Sequence, residues 1–205
     1  MKNCIVLNNQ NIELTEDQVK QLMAAFGIQN KQHKQLAEYE VGSIVKIGNF
    51  EMVVLEQNDG ETALILKGMY GDESEFGENN NYDGSYVDDL CKQFAQELTD
   101  IVGQGNIVTH KVDLTSDDGL KDYGIIERPA SLITAEMYRK YVEILDTVNP
   151  KCWWWLSTPW STKSHESDAY AKCVSPSGSL YYYDYYGDYG VRPFCILKST
   201  IFVSD

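Results

Sequence analysis

The chain has 205 residues, 43% hydrophobic and 23% charged, proportions that exclude a disordered or fibrous chain. Thirty-one acidic residues against 17 basic ones leave a net charge of −14, which repels phosphate backbones, so no nucleic-acid partner is expected. No apolar run approaches the roughly 20 residues of a membrane span, and a globule of this length buries roughly 70% of its unfolded surface without needing disulfides or metal.

The first residues, Met1-Lys2-Asn3-Cys4-Ile5-Val6-Leu7, turn polar at Asn8 and lack a signal-peptide core. A first helix is predicted over 15–27: Thr15 caps it, Gln18 completes a capping box, and Val19, Leu22, Met23 and Phe26 form an apolar stripe ending at Gly27. Residues 28–40 are polar and read as a linker or a solvated helix, which places the main domain's start near residue 41. Val-, Ile- and Leu-rich segments at 43–47, 50–56 and 61–67, separated by Gly48-Asn49 and Asn58-Asp59-Gly60, predict a strand meander.

Ser85 caps a second helix whose stripe is Val87, Leu90, Phe94, Leu98 and Ile101, with Gly103 as its stop. A strand over 106–114, a loop over 115–124 and a short strand from Ala130 to Ile133 follow. Thr134 caps a third helix at about 135–147, and strands at 153–157, 169–175, 179–183 and 191–198 alternate with long loops. Strands and helices do not alternate regularly, so the fold class is α+β on antiparallel sheet.

Five cysteines without CxxC or CxH spacing read as reduced, mostly buried thiols. His33, His110 and His165 stand apart from them, so no zinc site and no metal ligands are expected, and no cofactor. GxSxG, Walker A and GxGxxG motifs are absent, and the Cys173/His165 and Cys195/His110 pairs have nothing to bring them together, so no catalytic residues are assigned. The oxygen-rich stretches 72–83 and 115–122 lack EF-hand spacing and read as solvated acidic loops.

The unusual feature is aromatic. Tyr181, Tyr182, Tyr183, Tyr185, Tyr186 and Tyr189 place six of the chain's 14 tyrosines in nine residues, interrupted only by Asp184, Gly187 and Asp188. A buried strand cannot satisfy six phenol hydroxyls cheaply, so several must reach the surface. Tyr among Ser, Asp and Gly is the composition of a paratope, where rigid rings give contact area and small polar residues adapt. A displayed surface expects Tyr181, Tyr183, Tyr185 and Tyr186 to be more than a third exposed. Trp153-Trp154-Trp155 reads as core on one face and an inter-element contact on the other. Trp160, in a Ser- and Thr-rich loop, reads as a ligand contact.

Trp154-Trp155-Leu156-Ser157-Thr158-Pro159, Cys173-Val174-Ser175-Pro176-Ser177-Gly178 and Gly190-Val191-Arg192-Pro193-Phe194 resemble the C-terminal signature of an uncharacterised family of gut Gram-positive bacteria and their phages. That signature is a WWLRSPG-like segment followed by a GVRP-like strand. Phe76-Gly77-Glu78-Asn79-Asn80-Asn81-Tyr82 and Ala130-Ser131-Leu132-Ile133-Thr134 extend the resemblance over roughly 41–203. The arrangement is similar to C-type-lectin folds of the formylglycine-generating-enzyme type, and to variable proteins diversified by retroelements through adenine-directed mutagenesis. Tyr, Asp, Ser and Asn codons interconvert at adenines, which accounts for the Tyr–Asp mixture. Ser157-Thr158-Pro159 departs from the usual Arg-Ser-Pro. The EPN, QPD and WND signatures of calcium lectins are absent, and none of the five cysteines is assigned to the enzyme's paired positions, so neither activity carries over.

The residue pattern gives a small N-terminal helical segment and linker (1–40), and the resemblance implies a C-type-lectin-like ligand-binding domain with two main helices and long C-terminal loops after it (41–205). The expected binding face comprises Ser157, Trp160, Ser161, Lys163, His165 and Tyr170, together with Tyr181, Tyr182, Tyr183, Asp184, Tyr185, Tyr186, Asp188 and Tyr189. Arg192 is read as structural, holding the loop end through backbone carbonyls or an acidic side chain. The expected activity is non-enzymatic recognition of a protein or glycan, in the cytoplasm or on a phage particle. A thiol-dependent or hydrolytic enzyme with a cleft near the same loops, and a structural phage or prophage component, are the alternatives.

Overall fold

The computed structural model describes residues 4–7, 10–13, 15, 18, 21 and 34–204. Contacts divide the chain into Met1–His33 and Lys34–Asp205. In the first unit, β1 (Cys4–Leu7) pairs antiparallel with β2 (Gln10–Glu13), a hairpin that sequence reading did not anticipate. Its capping box is present: the Gln18 N–H donates to Thr15 Oγ1 (3.3 Å), and the Thr15 N–H donates to Gln18 Oε1 (2.9 Å). Gln18 and Gln21 are helical, and the rest of the expected 15–27 helix lies outside the described residues.

The second unit begins at Lys34, ahead of the boundary read near residue 41. Strand β3 (Lys34–Gln35) and the single 3-10 turn after it bury Leu36 (0% exposed) and Tyr39 in the core, so residues 34–39 are part of the globule rather than a linker. The expected meander follows as β4 (Ile44–Ile47), β5 (Phe50–Asn58) and β6 (Glu61–Leu66). Asp59 and Gly60 close the second hairpin with both φ positive (49° and 81°), the turn whose twist matches paired strands.

Helix α1 (Tyr86–Val102) starts where Ser85 Oγ accepts the Asp88 N–H (3.2 Å), and it ends at Gly103 with φ 86°. Its buried stripe runs through Val87, Cys91, Phe94, Ala95 and Leu98. Leu90 is only partly buried and Ile101 is 45% exposed, so the stripe leans further toward Cys91 and Ala95 than the apolar residues alone suggested. Burial would raise the Asp88 carboxyl's pKa, but Arg128 and Lys92 outweigh it and hold the group below its usual range.

The single strand expected over 106–114 is two: β7 (Ile107–Val108) and β8 (His110–Asp113). The first pairs with the strand Phe194–Lys198 and the second with β9 (Ile125–Arg128), which sequence reading missed. A two-residue strand, β10 (Ala130–Ser131), precedes the third helical region. Thr134 caps that region as expected, its Oγ1 accepting the Met137 N–H (3.1 Å), but it is broken into α2 (Ala135–Lys140) and α3 (Val142–Thr147). At the break, Tyr141 (φ −107°, ψ 13°) buries its ring and donates its hydroxyl to Glu56 on β5.

Strands β11 (Trp154–Pro159), β12 (Tyr170–Val174) and β13 (Leu180–Asp184) form a three-stranded antiparallel sheet in that order, leaving β13 at its edge. β14 (Phe194–Lys198) enters the larger sheet, ordered β10-β14-β6-β5-β4 with β7 also on β14. β15 (Phe202–Val203) closes the unit on β3. The large sheet is covered on both faces. Met52, Val54, Leu64 and Leu66 meet α1 through Phe94 and Leu98, while Val53, Leu55 and Ile65 meet Tyr138, Leu145, Trp154 and Leu156. A third cluster joins the first half of α1 to the smaller sheet through Phe76, Tyr82, Cys91, Trp155 and Cys173. The architecture is α+β with antiparallel sheets, and no helix among the described residues is long and apolar enough to cross a membrane.

Candidate functional site

Strand β11 is the floor on which the aromatic surface rests. Alternation along it sends Trp154 into the second cluster and Trp155 into the third, so both of its faces are core. The Trp155 indole N–H donates to the Ser74 carbonyl (2.9 Å). Trp153, just before the strand, is half-buried, stacked on Tyr189 (5.4 Å, 18°) and edge-on to Tyr181 (5.4 Å). The expected split between core and contact therefore falls between Trp154-Trp155 and Trp153.

Edge strand β13 carries the tyrosines outward. Tyr181, Tyr182 and Tyr183 are 52%, 47% and 48% exposed, and Tyr186 in the following turn is 58% exposed. Tyr185 departs from the expected exposure. It is half-buried against the third cluster, its N–H donates to the Ala169 carbonyl (2.9 Å), and its own carbonyl accepts the Phe76 N–H (2.7 Å). Tyr189 is likewise half-buried, and burial pushes its phenol up to about 12. The rings fall into separate groups on the two faces of β13: Tyr183 lies 5.3 Å from Tyr189, which stacks on Trp153, while Tyr182 stacks on Trp160 at 4.2 Å with Tyr170 edge-on at 5.7 Å. Asp184 is half-exposed and Asp188 exposed.

The other expected contacts divide. Lys163 and His165 are exposed and Trp160 is half-exposed beside Tyr182. Ser157 and Ser161 are buried (0% and 4%) and present nothing to a ligand; they face inward because β11 and the start of its loop are packed on both sides. Ser161 donates to Asp118 Oδ2 (2.7 Å), which also meets His165 Nδ1 (3.0 Å). Hydrogen bonds from Ser116 and then Ser161 hold the Asp118 carboxyl down at about 2. Thr162 Oγ1 donates to Asp122 Oδ2 (2.5 Å). The acidic stretch 115–122 thus ties down the loop through side-chain hydroxyls. Among the described residues no group of three or more His, Cys, Asp and Glu is placed to hold a metal ion.

Two positioning residues escaped sequence reading. Asn80 is fully buried: Nδ2 donates to the carbonyls of Ser161 (2.9 Å) and Tyr170 (2.8 Å), Oδ1 accepts the Tyr123 hydroxyl (2.8 Å), and its N–H donates to the Asp168 carbonyl (2.9 Å). One side chain therefore clasps both ends of the 161–170 loop. The available signal was an amide between two aromatics, Phe76 and Tyr82, in a segment without regular structure; such a segment, once buried, needs side chains to satisfy backbone groups. Lys172, 7% exposed on β12, donates to Asp117 Oδ2 (3.1 Å) and lies 5.0 Å over the Trp160 ring, beneath the Trp160–Tyr182 stack. Arg192, fully buried, donates Nε to the Leu66 carbonyl (2.6 Å) and Nη2 to the Val148 carbonyl (3.3 Å), and sits 5.2 Å over Trp154. Its partners are backbone carbonyls, one of the two kinds expected, and burial lowers its pKa to about 10.

Against this geometry, no family model, no curated protein and no solved structure matches the chain.

Proposed function

We propose that this chain is a non-enzymatic ligand-binding protein, in which a C-type-lectin-like domain of the WWLRSPG…GVRP type displays a Tyr-rich, retroelement-diversified surface. The observation that carries the reading is the contrast at the edge of the small sheet. Four tyrosines of 181–186 are about half exposed, while the strands and side chains that position them (Trp154, Trp155, Asn80, Arg192) are buried. Rigid display lowers the ordering cost of binding, so side chains on such an edge can change while the scaffold stays. On this reading the ligand is a macromolecule met in the cytoplasm or by a phage particle. The test is the DNA around the gene. A reverse-transcriptase gene with a near-copy of the 3′ end, differing at adenines within the codons for the exposed tyrosines, supports the proposal. Differences spread equally over the codons for Trp154, Trp155 and Arg192 would refute it.

A further inference from the structure

The tyrosines are rimmed by unneutralised acid. Between residues 160 and 190 the carboxylates are Glu166, Asp168, Asp184 and Asp188, and none of them makes an ion pair among the described residues. Of the two lysines in that span, Lys172 is buried and held by Asp117, so Lys163 alone is exposed. A second strip of acid lies alongside. Segment 74–76 is hydrogen-bonded to the end of the tyrosine turn, with the Ser74 N–H donating to the Tyr189 carbonyl (3.0 Å) and the Tyr189 N–H to the Ser74 carbonyl (3.1 Å). This strip presents Asp72, Glu73, Glu75 and Glu78, all exposed and again without an ion pair among the described residues. The oxygen-rich stretch at 72–78 thus forms one flank of the aromatic surface.

Resting on the ligand-binding reading, we infer that this surface docks an arginine- and lysine-rich protein segment. Aromatic faces attract guanidinium and ammonium groups, most strongly when partly desolvated. Carboxylates around them steer a cationic partner in and disfavour acidic ones. A nucleic acid or an anionic lipid surface is repelled by the same rim, and a neutral glycan gains nothing from it.

Fluorescence anisotropy of the full chain tests this with three probes: a labelled peptide of alternating arginine and glycine, its glutamate–glycine counterpart, and labelled dextran. The arginine probe should bind best and weaken about tenfold when salt is raised from about 20 to 300 mM. Tyr181→Ser with Tyr186→Ser, which leaves net charge unchanged, should weaken it about tenfold. Glu73→Gln with Glu75→Gln should weaken it and flatten the salt dependence. Asp59→Asn with Glu61→Gln, the same charge change on the β5–β6 turn, should leave it alone. Equal loss from the Asp59/Glu61 pair, or an arginine probe bound no better than glutamate or dextran, overturns the cationic partner. If dextran binds instead and the tyrosine pair abolishes it, the binding surface stands and only its partner class is wrong. If the tyrosine pair, melting like the wild type, changes no binding at all, the surface reading falls as well.

Discussion

Replacing Asn80 by alanine asks whether one buried amide holds the candidate site together. The variant keeps the backbone N–H bond to Asp168 but loses three side-chain bonds at once. The losses are unequal. The Tyr170 carbonyl still accepts the Trp160 N–H (2.9 Å), and the half-buried Tyr123 hydroxyl can turn to water, so each of these costs about 1 kcal/mol. The Ser161 carbonyl sits in a buried bond with no other donor among the described residues, and stranding such a group costs about 1–3 kcal/mol. The sum is roughly 3–5 kcal/mol, a large share of the 5–15 kcal/mol that holds a typical domain. Asn80→Asp should be at least as severe, since it points carboxylate oxygen at two carbonyl oxygens. Urea unfolding followed by tryptophan fluorescence measures the loss, with Glu78→Ala as an exposed control two residues away. Limited proteolysis should also cut within 161–170 sooner in the Asn80 variant, because both loop ends are released. A midpoint indistinguishable from the Glu78→Ala control, with unchanged cleavage, would refute the claim that Asn80 clasps the loop.

The structure sets four further expectations. Burial pushes the His110 ring down to about 4 from 6.5 and keeps it neutral in the fold, so its contribution is intact above pH 6.5 and is lost as pH falls toward 4. At about 1.4 kcal/mol per pH unit this is ~2 kcal/mol between pH 6.5 and 5, and His110→Gln should flatten the urea midpoint over that range by this amount. Of the four cysteines in 34–204, only Cys152 is partly exposed, so a thiol reagent with mass-spectrometric mapping should label it first and leave Cys91, Cys173 and Cys195 until unfolding. Phe94→Ala should cost about 3–5 kcal/mol and Leu90→Ala clearly less, because the first ring is fully buried and the second side chain is not; equal losses in denaturant would put the helix on the wrong face. Tyr181→Ser with Tyr186→Ser should move unfolding by no more than about 1 kcal/mol, since each ring is over half exposed and makes a single edge contact; a fall in melting temperature of some 10 °C would mean a packing role.

Much of the fold was legible because its signals are local. Gly48 and Asp59-Gly60 mark turns whose positive φ values few other residues tolerate, so the three-strand meander follows from them and from β-branched runs. Ser85, Thr15 and Thr134 each supply the oxygen that a helix start needs, and all three do so. The crowding of tyrosines was itself an argument for exposure, since phenol hydroxyls resist burial without partners, and four of the six are about half exposed.

Apart from the local β1–β2 hairpin, what escaped reading depends on partners distant in the chain. Nothing near Thr109 says that β7 joins β14 while β8 joins β9, because a strand's partner is chosen by whichever edge the packed core leaves open. Tyr141 has ordinary helical neighbours, and the break there answers to Glu56, 85 residues away. Tyr185 carries the same side chain as Tyr186, yet the backbone bonds to Phe76 and Ala169 turn it into the core and leave its neighbour out. Asn80 falls in a stretch that reads as a solvated loop, and Lys172 carries no local signal, until the 161–170 loop and the Trp160 stack close over them. Sequence by itself determined the meander, the helix starts and that aromatic surface must be displayed, since turn chemistry, capping and hydroxyl solvation act within a few residues. Only the tertiary structure decided which tyrosines face outward, which amide holds them and which acids surround them, because burial is a property of the assembled chain.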